Sequence, residues 1–306
     1  MTRPKHLIVV VGPTAIGKTA RAIELAQHFD CEILSCDSRQ FFKEMTIGTA
    51  VPSQSELVDA RHHFIHNKSI FDSYTVGDFE KEAISLLDKL FETNDFAVLV
   101  GGSGLYVDAV LKGFDDFPEV DASVRENLSS DYEKEGISFL QRELQRLDPN
   151  YFESVDPDNP QRMMRALEVT IGSGKPYSSF LSRKENTRKF TPIIVGLTAD
   201  RDEMYSRINR RVDIMIEQGL IAEAKNLLPN RELNALQTVG YRELFDYLDG
   251  TSDLDFAISE IKKNTRRFAK RQMTWFRKNE SVHWFDFHEP TSTIISFIND
   301  KATQPN

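Results

Sequence analysis

The feature that most restricts the possible folds is a glycine-rich segment between an apolar run and a helical pattern. Residues 12–19 read GPTAIGKT, which fits the pattern G-x-x-x-x-G-K-T. Five apolar residues, LIVVV at 7–11, predict a buried strand before it, and apolar spacing predicts a helix over about 18–29 after it. A strand, a glycine-rich loop and a helix in this order indicate a phosphate-binding loop.

Each residue type in this loop has a role in holding phosphate. Glycines let backbone N–H groups close around phosphate oxygens, Lys18 adds a positive charge, and the Thr19 hydroxyl can hold Mg²⁺. A glycine-rich turn without a ligand is the alternative, but the context favours a diphosphate or a triphosphate such as ATP. The expected phosphate-binding residues are Gly12, Pro13, Thr14, Ala15, Ile16, Gly17, Lys18 and Thr19.

The first hundred residues alternate between short apolar runs and helical patterns. Strands are predicted at 7–11, 32–36 and 96–100, and a helix at about 77–93 precedes the last strand. This alternation predicts an α/β fold, a P-loop three-layer core with a parallel sheet. We expect the segments that follow these strands to meet at one edge of the sheet, where open α/β sheets bind ligands.

The pattern changes between about residues 114 and 188. Apolar strand-like runs disappear there, and charged helical patterns with several Asp and Pro residues replace them. We therefore predict a helical insertion domain over 114–188, between the two parts of the P-loop core at 1–113 and 189–306. A strand returns at 193–197, and helical patterns follow to about residue 278.

Composition excludes several classes of protein. The net charge of −9 argues, taken alone, against nucleic-acid binding, and the two cysteines can form neither a disulfide framework nor a complete zinc site. No apolar stretch approaches the roughly 20 residues needed to cross a bilayer. The apolar run at 7–11 is also too short for a secretory signal. We therefore expect a soluble protein of the cytoplasm that does not associate with a membrane.

The charge is unevenly distributed along the chain. Residues 261–279 contain eight Lys or Arg and no Asp or Glu. On a helix the eight cations fall within half a turn, and Ile261, Phe268, Trp275 and Phe276 fall on the other side. A solvated surface is the usual alternative, but such faces normally mix both signs, so we expect a docked apolar face and a cationic face that binds nucleic acid. The cations are Lys262, Lys263, Arg266, Arg267, Lys270, Arg271, Arg277 and Lys278.

Asp37 is the sharpest candidate for a catalytic group. It follows the second predicted strand, where its carboxylate could bind Mg²⁺ or act as a general base. The alternative is a helix N-cap at Asp37 or Ser38. The third strand is followed by GGSG at 101–104 rather than by a carboxylate, which counts against ATP or GTP hydrolysis. The glycines there allow close approach of a ligand, and Ser103 offers a hydroxyl.

Arginines form two further candidate groups. A helix predicted to begin at 159–160 carries Arg162 and Arg165 on one face, three residues apart. A second group at 207–211 follows the strand at 193–197, within reach of a diphosphate at the sheet edge. Ordinary surface arginines remain the alternative for both groups.

Three histidines form a separate cluster in the sequence. His62 and His66 would share a face if the segment around His63 were helical. No acidic or cysteine partner follows at the spacing of metal ligands, so a structural or solvent-exposed role is favoured over a metal site.

Taken together, the motifs resemble the tRNA isopentenyltransferase family, also called tRNA dimethylallyltransferases or IPP transferases. The resemblance runs in order from about residue 7 to 278, which is far more specific than any one motif. The motifs are GPTAIGKT, DSRQ, IGTA, HHFI, GGSGLY, Gln161-Arg162-x-x-Arg165, Arg207-Ile208, Met215, Gly219-Leu220, VGY at 239–241 and NTRR-x-AKRQ at 264–272.

The resemblance implies transfer of a dimethylallyl group from dimethylallyl pyrophosphate to the exocyclic amine of the adenine just 3′ of a tRNA anticodon. The tRNAs would be those that read codons beginning with U. The phosphate loop would hold the pyrophosphate of the donor, which accounts for the missing hydrolase carboxylate. In this scheme Asp37 takes the proton of the amine, and Ser103 positions Asp37 or the substrate. The groups that stabilise the leaving pyrophosphate are Lys18, Mg²⁺ on Thr19, and an arginine such as Arg207 or Arg211.

The resemblance also implies where the tRNA anticodon stem-loop binds. The helical insertion would grip the stem, and the protein is expected to act as a monomer. The implied tRNA-binding residues are Asp37, Ser38, Arg39, Gln40, Ser103, Arg125, Gln161, Arg162, Arg165, Tyr241, Arg242, Arg266, Arg267, Lys270 and Arg271.

Two other functions fit parts of the sequence. A small-molecule or nucleoside kinase would use the same loop for ATP-dependent phosphate transfer and would not need the basic segment. An RNA-binding protein with ATP as a structural ligand would bind tRNA and form no product. Neither the kinase nor the RNA-binding protein would transfer a dimethylallyl group to tRNA, so an assay for this reaction distinguishes them from the family that the motifs resemble.

Overall fold

The computed structural model describes residues 4–115, 117–181 and 188–304. The chain divides into two compact units, one formed by Met1–Lys112 with Thr187–Asn306 and the other by Gly113–Asn186. Both boundaries lie within two residues of those expected from the sequence.

The first unit is built on a parallel sheet. Its described residues form six strands in the order β3-β2-β4-β1-β5-β6, and each neighbouring pair is parallel. The predicted α/β P-loop fold is therefore confirmed. The strands are β1 (His6–Val11), β2 (Ile33–Ser35), β3 (His62–His63), β4 (Phe96–Val100), β5 (Thr191–Thr198) and β6 (His283–Asp286).

Strand β1 lies at the centre of the sheet and is buried on both faces. Leu7, Val9 and Val11 belong to the apolar cluster on one face, whereas Ile8 and Val10 belong to the cluster on the other. A strand covered on both faces needs apolar residues at every position, which explains the unbroken apolar run in the sequence.

Helices of the first unit form the outer layers and an additional bundle. The helices α3 (Val76–Thr93) and α4 (Gly104–Lys112) supply side chains to the first apolar cluster, and α1 (Lys18–His28) and α13 (Thr291–Thr303) supply them to the second. A third cluster joins four helices that follow β5. These are α9 (Arg201–Glu217), α10 (Leu220–Leu227), α11 (Tyr241–Leu248) and α12 (Leu254–Phe276), and α2 (Gln54–Asp59) lies before β3.

The second unit is helical in its described residues and has its own apolar core. The predicted helix start is confirmed, because the Asn159 side chain accepts from the N–H of Arg162 and Pro160 occupies the first turn. The helices of this unit are α5 (Ala122–Glu135), α6 (Ile137–Leu147), α7 (Pro149–Phe152) and α8 (Pro160–Ser173).

The sequence did not predict every element of the structure. Strand β3 has only two residues, β6 has four with mixed polarity, and α13 follows the point where the predicted helices ended. Short edge strands and a helix with small polar residues give weak periodic signals, so they were missed. No helix in the described part of the chain is long and apolar enough to span a membrane.

Candidate active site

The phosphate loop has the backbone shape that an anion site requires. Gly12 and Gly17 have φ values of 146° and 102°, which side-chain-bearing residues rarely adopt, and a Cβ on Gly12 would lie 2.6 Å from the Leu197 carbonyl oxygen. Gly17 is the N-cap of α1 and provides no side-chain cap, so the first N–H groups of α1 stay available for an anion.

Lys18 lies in this loop and extends along it. Its Nζ donates to the Pro13 carbonyl oxygen at 2.8 Å. Burial lowers the pKa of Lys18 to about 8, the charge of Asp37 opposes that shift, and the charge of Arg211 adds to it. These effects link three groups from different parts of the chain.

Asp37 lies two residues after the end of β2 and lines the same cavity as the phosphate loop. Its Oδ1 accepts from the backbone N–H of Arg39 at 3.1 Å, and its carbonyl oxygen accepts from the N–H of Gln40. This contact closes a turn, and no helix begins here in the described residues, so the N-cap alternative is wrong. The carboxylate is held in place by its own turn.

Ser103 is the residue before α4, and its hydroxyl contacts Ser38 rather than Asp37. The backbone N–H of Ser38 donates to Ser103 Oγ at 3.2 Å, and the two hydroxyl oxygens are 3.3 Å apart. Ser103 therefore fixes the turn that carries Asp37. Of the two roles expected for Ser103, these contacts favour the positioning of Asp37 over that of the substrate.

Two arginines of α9 have different positions in the site. Arg207 donates from Nε to the Ala15 carbonyl oxygen at 2.9 Å, and its guanidinium lies 4.5 Å from the centre of the Phe287 ring. Arg211 lines the two cavities of this site. Burial lowers the pKa of Arg211, and the negative charge of Asp37 opposes that shift. Arg207 thus supports the loop backbone, while Arg211 is the arginine close to the carboxylate.

Two cavities meet at Asp37 in the first unit. The first has a volume of about 620 Å³ and contains the phosphate loop, including Lys18 and Thr19, together with Gly101. The second has a volume of about 500 Å³ and has many apolar residues in its walls, including Leu105. The residues that line both cavities are Thr14, Asp37, Arg211, Phe268 and Gln272. A phosphate ester in the first cavity and an apolar or aromatic group in the second would meet beside one carboxylate.

The basic segment forms the C-terminal part of α12 as far as Phe276, and its last two cations, Arg277 and Lys278, follow the end of the helix. Ile261 and Phe276 are buried, but Phe268 and Trp275 are each 39 % exposed and line the second cavity. The expected apolar face is therefore only partly docked, because two of its aromatic side chains form a cavity wall instead.

The cations of α12 differ in their surroundings. Lys262 pairs with Asp213 of α9, and Lys263 pairs with Glu260 on α12 itself. Arg266 donates to the side-chain oxygen of Asn209 at 2.6 Å. The five cations that are largely exposed are Arg267, Lys270, Arg271, Arg277 and Lys278.

Two of the residues expected to contact tRNA are buried. Tyr241 has no exposed surface, and its hydroxyl donates to Glu223 at 2.7 Å. Gln40 is 9 % exposed, and its amide nitrogen donates to the carbonyl oxygens of Thr49 and Ala50. The prediction that Tyr241 contacts tRNA directly is therefore wrong. The amide nitrogen of Gln40 is likewise used within the protein, in its bonds to Thr49 and Ala50. Ser38, Arg39 and Arg242 line the second cavity.

The candidate tRNA-binding residues of the second unit lie on α5 and α8. Arg125 and Arg165 both pair with Glu168, at 2.9 and 3.1 Å. Gln161 and Arg162 are exposed near the start of α8. One carboxylate thus holds two guanidinium groups on this surface.

The histidine cluster has no helical arrangement. His62 and His63 form β3, and His66 has a positive φ of 50°. His62 Nδ1 bonds to the Ala60 carbonyl oxygen, and His63 Nε2 lies 2.5 Å from a carboxylate oxygen of Glu32. The described residues contain no group of three or more His, Cys, Asp or Glu that could hold a metal ion. The shared helix face considered for His62 and His66 is therefore wrong.

Comparison with known proteins identifies the family to which this chain is similar. The family model described as IPP transferase matches residues 40–279. A tRNA dimethylallyltransferase of Flavobacterium johnsoniae is 64 % identical over 300 residues, which cover 96 % of this chain and 97 % of the relative. One of Christiangramia forsetii is 57 % identical, with 97 % and 98 % covered.

Solved structures agree with the sequence matches. The tRNA isopentenylpyrophosphate transferase of Bacillus halodurans has a TM-score of 0.72, 38 % identity, and coverage of 97 % of both chains. A eukaryotic dimethylallyltransferase acting on tRNA has a TM-score of 0.82 at 24 % identity and supports the fold alone; 98 % of this chain and 80 % of that chain are covered. The chain therefore belongs to the IPP transferase family.

Proposed function

We propose that this chain transfers a dimethylallyl group from dimethylallyl pyrophosphate to a tRNA adenine and releases pyrophosphate. The acceptor is the exocyclic amine of the adenine just 3′ of the anticodon, in tRNAs that read codons beginning with U. The observation that carries the proposal is the meeting of the two cavities at Asp37. One cavity suits a pyrophosphate, the other suits an apolar group and a base, and a carboxylate lies where they join.

The donor's pyrophosphate is assigned to the first cavity. Negative charge builds up on it as the bond from the allylic carbon to oxygen breaks. The N–H groups at the start of α1, the Lys18 ammonium and the Arg211 guanidinium stabilise that charge, because they face the cavity before the reaction begins. Arg207 lines the same cavity and also holds the backbone of the loop through the Ala15 carbonyl oxygen.

Magnesium is the metal that this cavity suits. The Thr19 hydroxyl, in the lining of this cavity, would supply an oxygen ligand to the ion, and few protein ligands are typical of Mg²⁺ bound mainly through phosphate oxygens and water. When bound there, Mg²⁺ neutralises part of the pyrophosphate charge. Thr19 is the residue that we assign to hold it.

Asp37 acts as the general base. The lone pair of an adenine amine is delocalised into the ring, so the amine is a poor nucleophile until its proton is removed. As the C–N bond forms and the allylic C–O bond breaks, the amine proton passes to the Asp37 carboxylate and the electron pair of the C–O bond leaves with pyrophosphate. The turn at Arg39 fixes the carboxylate, and Ser103 braces that turn.

The acceptor adenine must leave its stack to reach Asp37. The second cavity provides Phe268 and Trp275 as aromatic surfaces and Leu105 as an apolar surface. The exposed cations of α12 bind the phosphates of the anticodon loop, and Arg125, Arg162 and Arg165 bind those of the stem. An enzyme with these substrates acts in the cytoplasm, where mature tRNA is found.

The test is mass spectrometry of unmodified tRNA incubated with the protein, Mg²⁺ and dimethylallyl pyrophosphate. A dimethylallyl mass gain on the adenine 3′ of the anticodon is expected, and none with ATP alone. A gain of phosphate on an acceptor with ATP instead would assign the cavity to a kinase. Binding of tRNA with no product under either condition would identify an RNA-binding protein.

A further inference from the structure

Gln272 connects the two loops that form the phosphate site. It lies on α12, is 7 % exposed and lines both cavities. Its Oε1 accepts from the backbone N–H of Thr14 at 2.8 Å, and its Nε2 donates to the Gly102 carbonyl oxygen at 3.0 Å. One amide therefore joins the phosphate loop after β1 to the glycine loop after β4.

The neighbouring backbone is shaped to fit this amide. A Cβ on Gly102 would overlap Gln272 Nε2, whereas it would be 3.7 Å from Lys18 Nζ, an ordinary contact. Gly102 has no φ in the left-handed region, so its backbone does not itself require glycine. The absence of a side chain at this position is thus explained by the space that Gln272 occupies.

The position of Gln272 separates it from the cations of the same helix. The resemblance to the family assigned cations of this helix to tRNA contact, whereas Gln272 points inward, to the same side as Ile261 and Phe276. Its amide oxygen and its amide nitrogen each have a backbone partner within the protein.

We propose that Gln272 is a positioning residue for the pyrophosphate of the prenyl donor. By holding the Thr14 N–H and the Gly102 carbonyl at a fixed separation, it sets the opening of the phosphate loop and keeps Lys18 directed into the first cavity. The inference rests on the proposed function in that it assigns a pyrophosphate to this cavity. It predicts that loss of the amide bridge weakens donor binding and leaves tRNA binding intact.

Two variants remove the bridge in different ways. Gln272→Asn shortens the side chain by one methylene, so its amide cannot reach both backbone groups. Gly102→Ala keeps Gln272 and displaces its amide, a flexible group that can move without disturbing the fold. Met273→Leu is the matched control, because Met273 is a buried neighbour on α12 and the change nearly conserves volume.

Inorganic pyrophosphate with Mg²⁺ is the probe, measured by calorimetry on the full-length protein. We expect its Kd to rise about tenfold in Gln272→Asn and in Gly102→Ala, which corresponds to the loss of about one hydrogen bond. The KM for dimethylallyl pyrophosphate should rise by the same factor, with kcat lowered less than threefold and the Kd for an anticodon stem-loop within twofold of wild type. Met273→Leu should change none of these values.

The outcomes that overturn the inference are separate from those that overturn the proposed function. If the wild-type protein modifies tRNA and either folded variant binds pyrophosphate with wild-type affinity, Gln272 is not a positioning residue. If kcat and KM change together with tRNA affinity, its role is merely structural. If the wild-type protein modifies no tRNA, the proposed function fails, and the pyrophosphate measurement still decides the role of Gln272.

Discussion

Lys18 and Asp37 belong to loops after different strands, and the negative charge of Asp37 opposes the fall in the pKa of the Lys18 ammonium. Burial is the larger effect, and the resulting pKa is about 8. The charge of Lys18 therefore changes in a pH range where the protein can be studied, and this leads to the first prediction.

Pyrophosphate binding should weaken as the pH rises through the pKa of Lys18. The pKa is lowered, so Lys18 is mostly charged at pH 7 and mostly neutral at pH 9, and the neutral amine no longer attracts phosphate. We expect the Kd for pyrophosphate, measured by calorimetry at fixed Mg²⁺, to increase about tenfold over this range. In Lys18→Arg the guanidinium stays charged, so the remaining pH dependence is that of the ligand. Equal pH dependence in both proteins would contradict the prediction.

Asp37→Asn should lower kcat strongly without affecting tRNA affinity. The amide oxygen can still accept from the Arg39 N–H, so the turn is kept while the base is lost. A fall in the single-turnover rate of about 10²–10⁴ is expected, the usual contribution of a general base. The midpoint for pyrophosphate binding should also move to lower pH, because Asp37 raises the pKa of Lys18. Asp59→Asn, an exposed change at the end of α2, is the control. A parallel loss of tRNA affinity would argue against a base.

Arg211 should matter more than Arg210 for the chemical step. Arg210 is exposed and lines only the first cavity, whereas Arg211 lines both cavities and interacts with the charge of Asp37. We expect kcat/KM for dimethylallyl pyrophosphate to fall about 10²-fold in Arg211→Gln. The change in Arg210→Gln should be less than about fivefold. The reverse order would assign the leaving pyrophosphate to Arg210.

The cationic face of α12 should determine the salt dependence of tRNA binding. Arg267, Lys270 and Arg277 are exposed, and none of them forms an ion pair with a carboxylate among the described residues. Changing all three to Gln should weaken binding of an anticodon stem-loop and lower the slope of log K against log salt by about 2, given a contribution of about 0.7–0.9 per phosphate contact. Lys262→Gln is the control, since Lys262 already pairs with Asp213. An unchanged slope in the triple variant would exclude this face as the docking surface.

The sequence predicted the parts of the site that depend on local patterns. The run at 7–11 and the glycines of the phosphate loop have strong signals, because a central parallel strand is apolar throughout and a tight loop needs glycine. The position of Asp37 beside that loop followed from the rule that parallel strands end at one edge. These features need only short stretches of chain to be recognised.

The features that the sequence did not predict depend on contacts between distant residues. In the sequence Gln272 is one more polar residue of a basic helix. Its partner Thr14 lies 258 residues away along the chain, and only the fold brings the two together. Phe268 and Trp275 have the spacing of core residues, yet they end on a cavity wall. Helical periodicity gives the side of a helix but not what lies opposite to it. The family motif VGY similarly suggested a tRNA contact at Tyr241, which is buried.

The buried position of Tyr241 predicts a loss of stability, and no loss of tRNA affinity, when its hydroxyl is removed. The Glu223 carboxylate accepts from this hydroxyl and from the backbone N–H groups of Thr46, Ile47 and Gly48, so it anchors the loop before α2.

In Tyr241→Phe the carboxylate loses one of these donors, and the free energy of unfolding should fall by about 1.5–3 kcal/mol, as for other hydrogen bonds to charged groups. Thermal or urea unfolding measures this change, and the Kd for an anticodon stem-loop should stay within twofold of wild type. Tyr247→Phe, on the same helix α11, should alter neither quantity. Wild-type stability combined with a tenfold loss of tRNA affinity in Tyr241→Phe would instead require Tyr241 to move to the surface when tRNA binds.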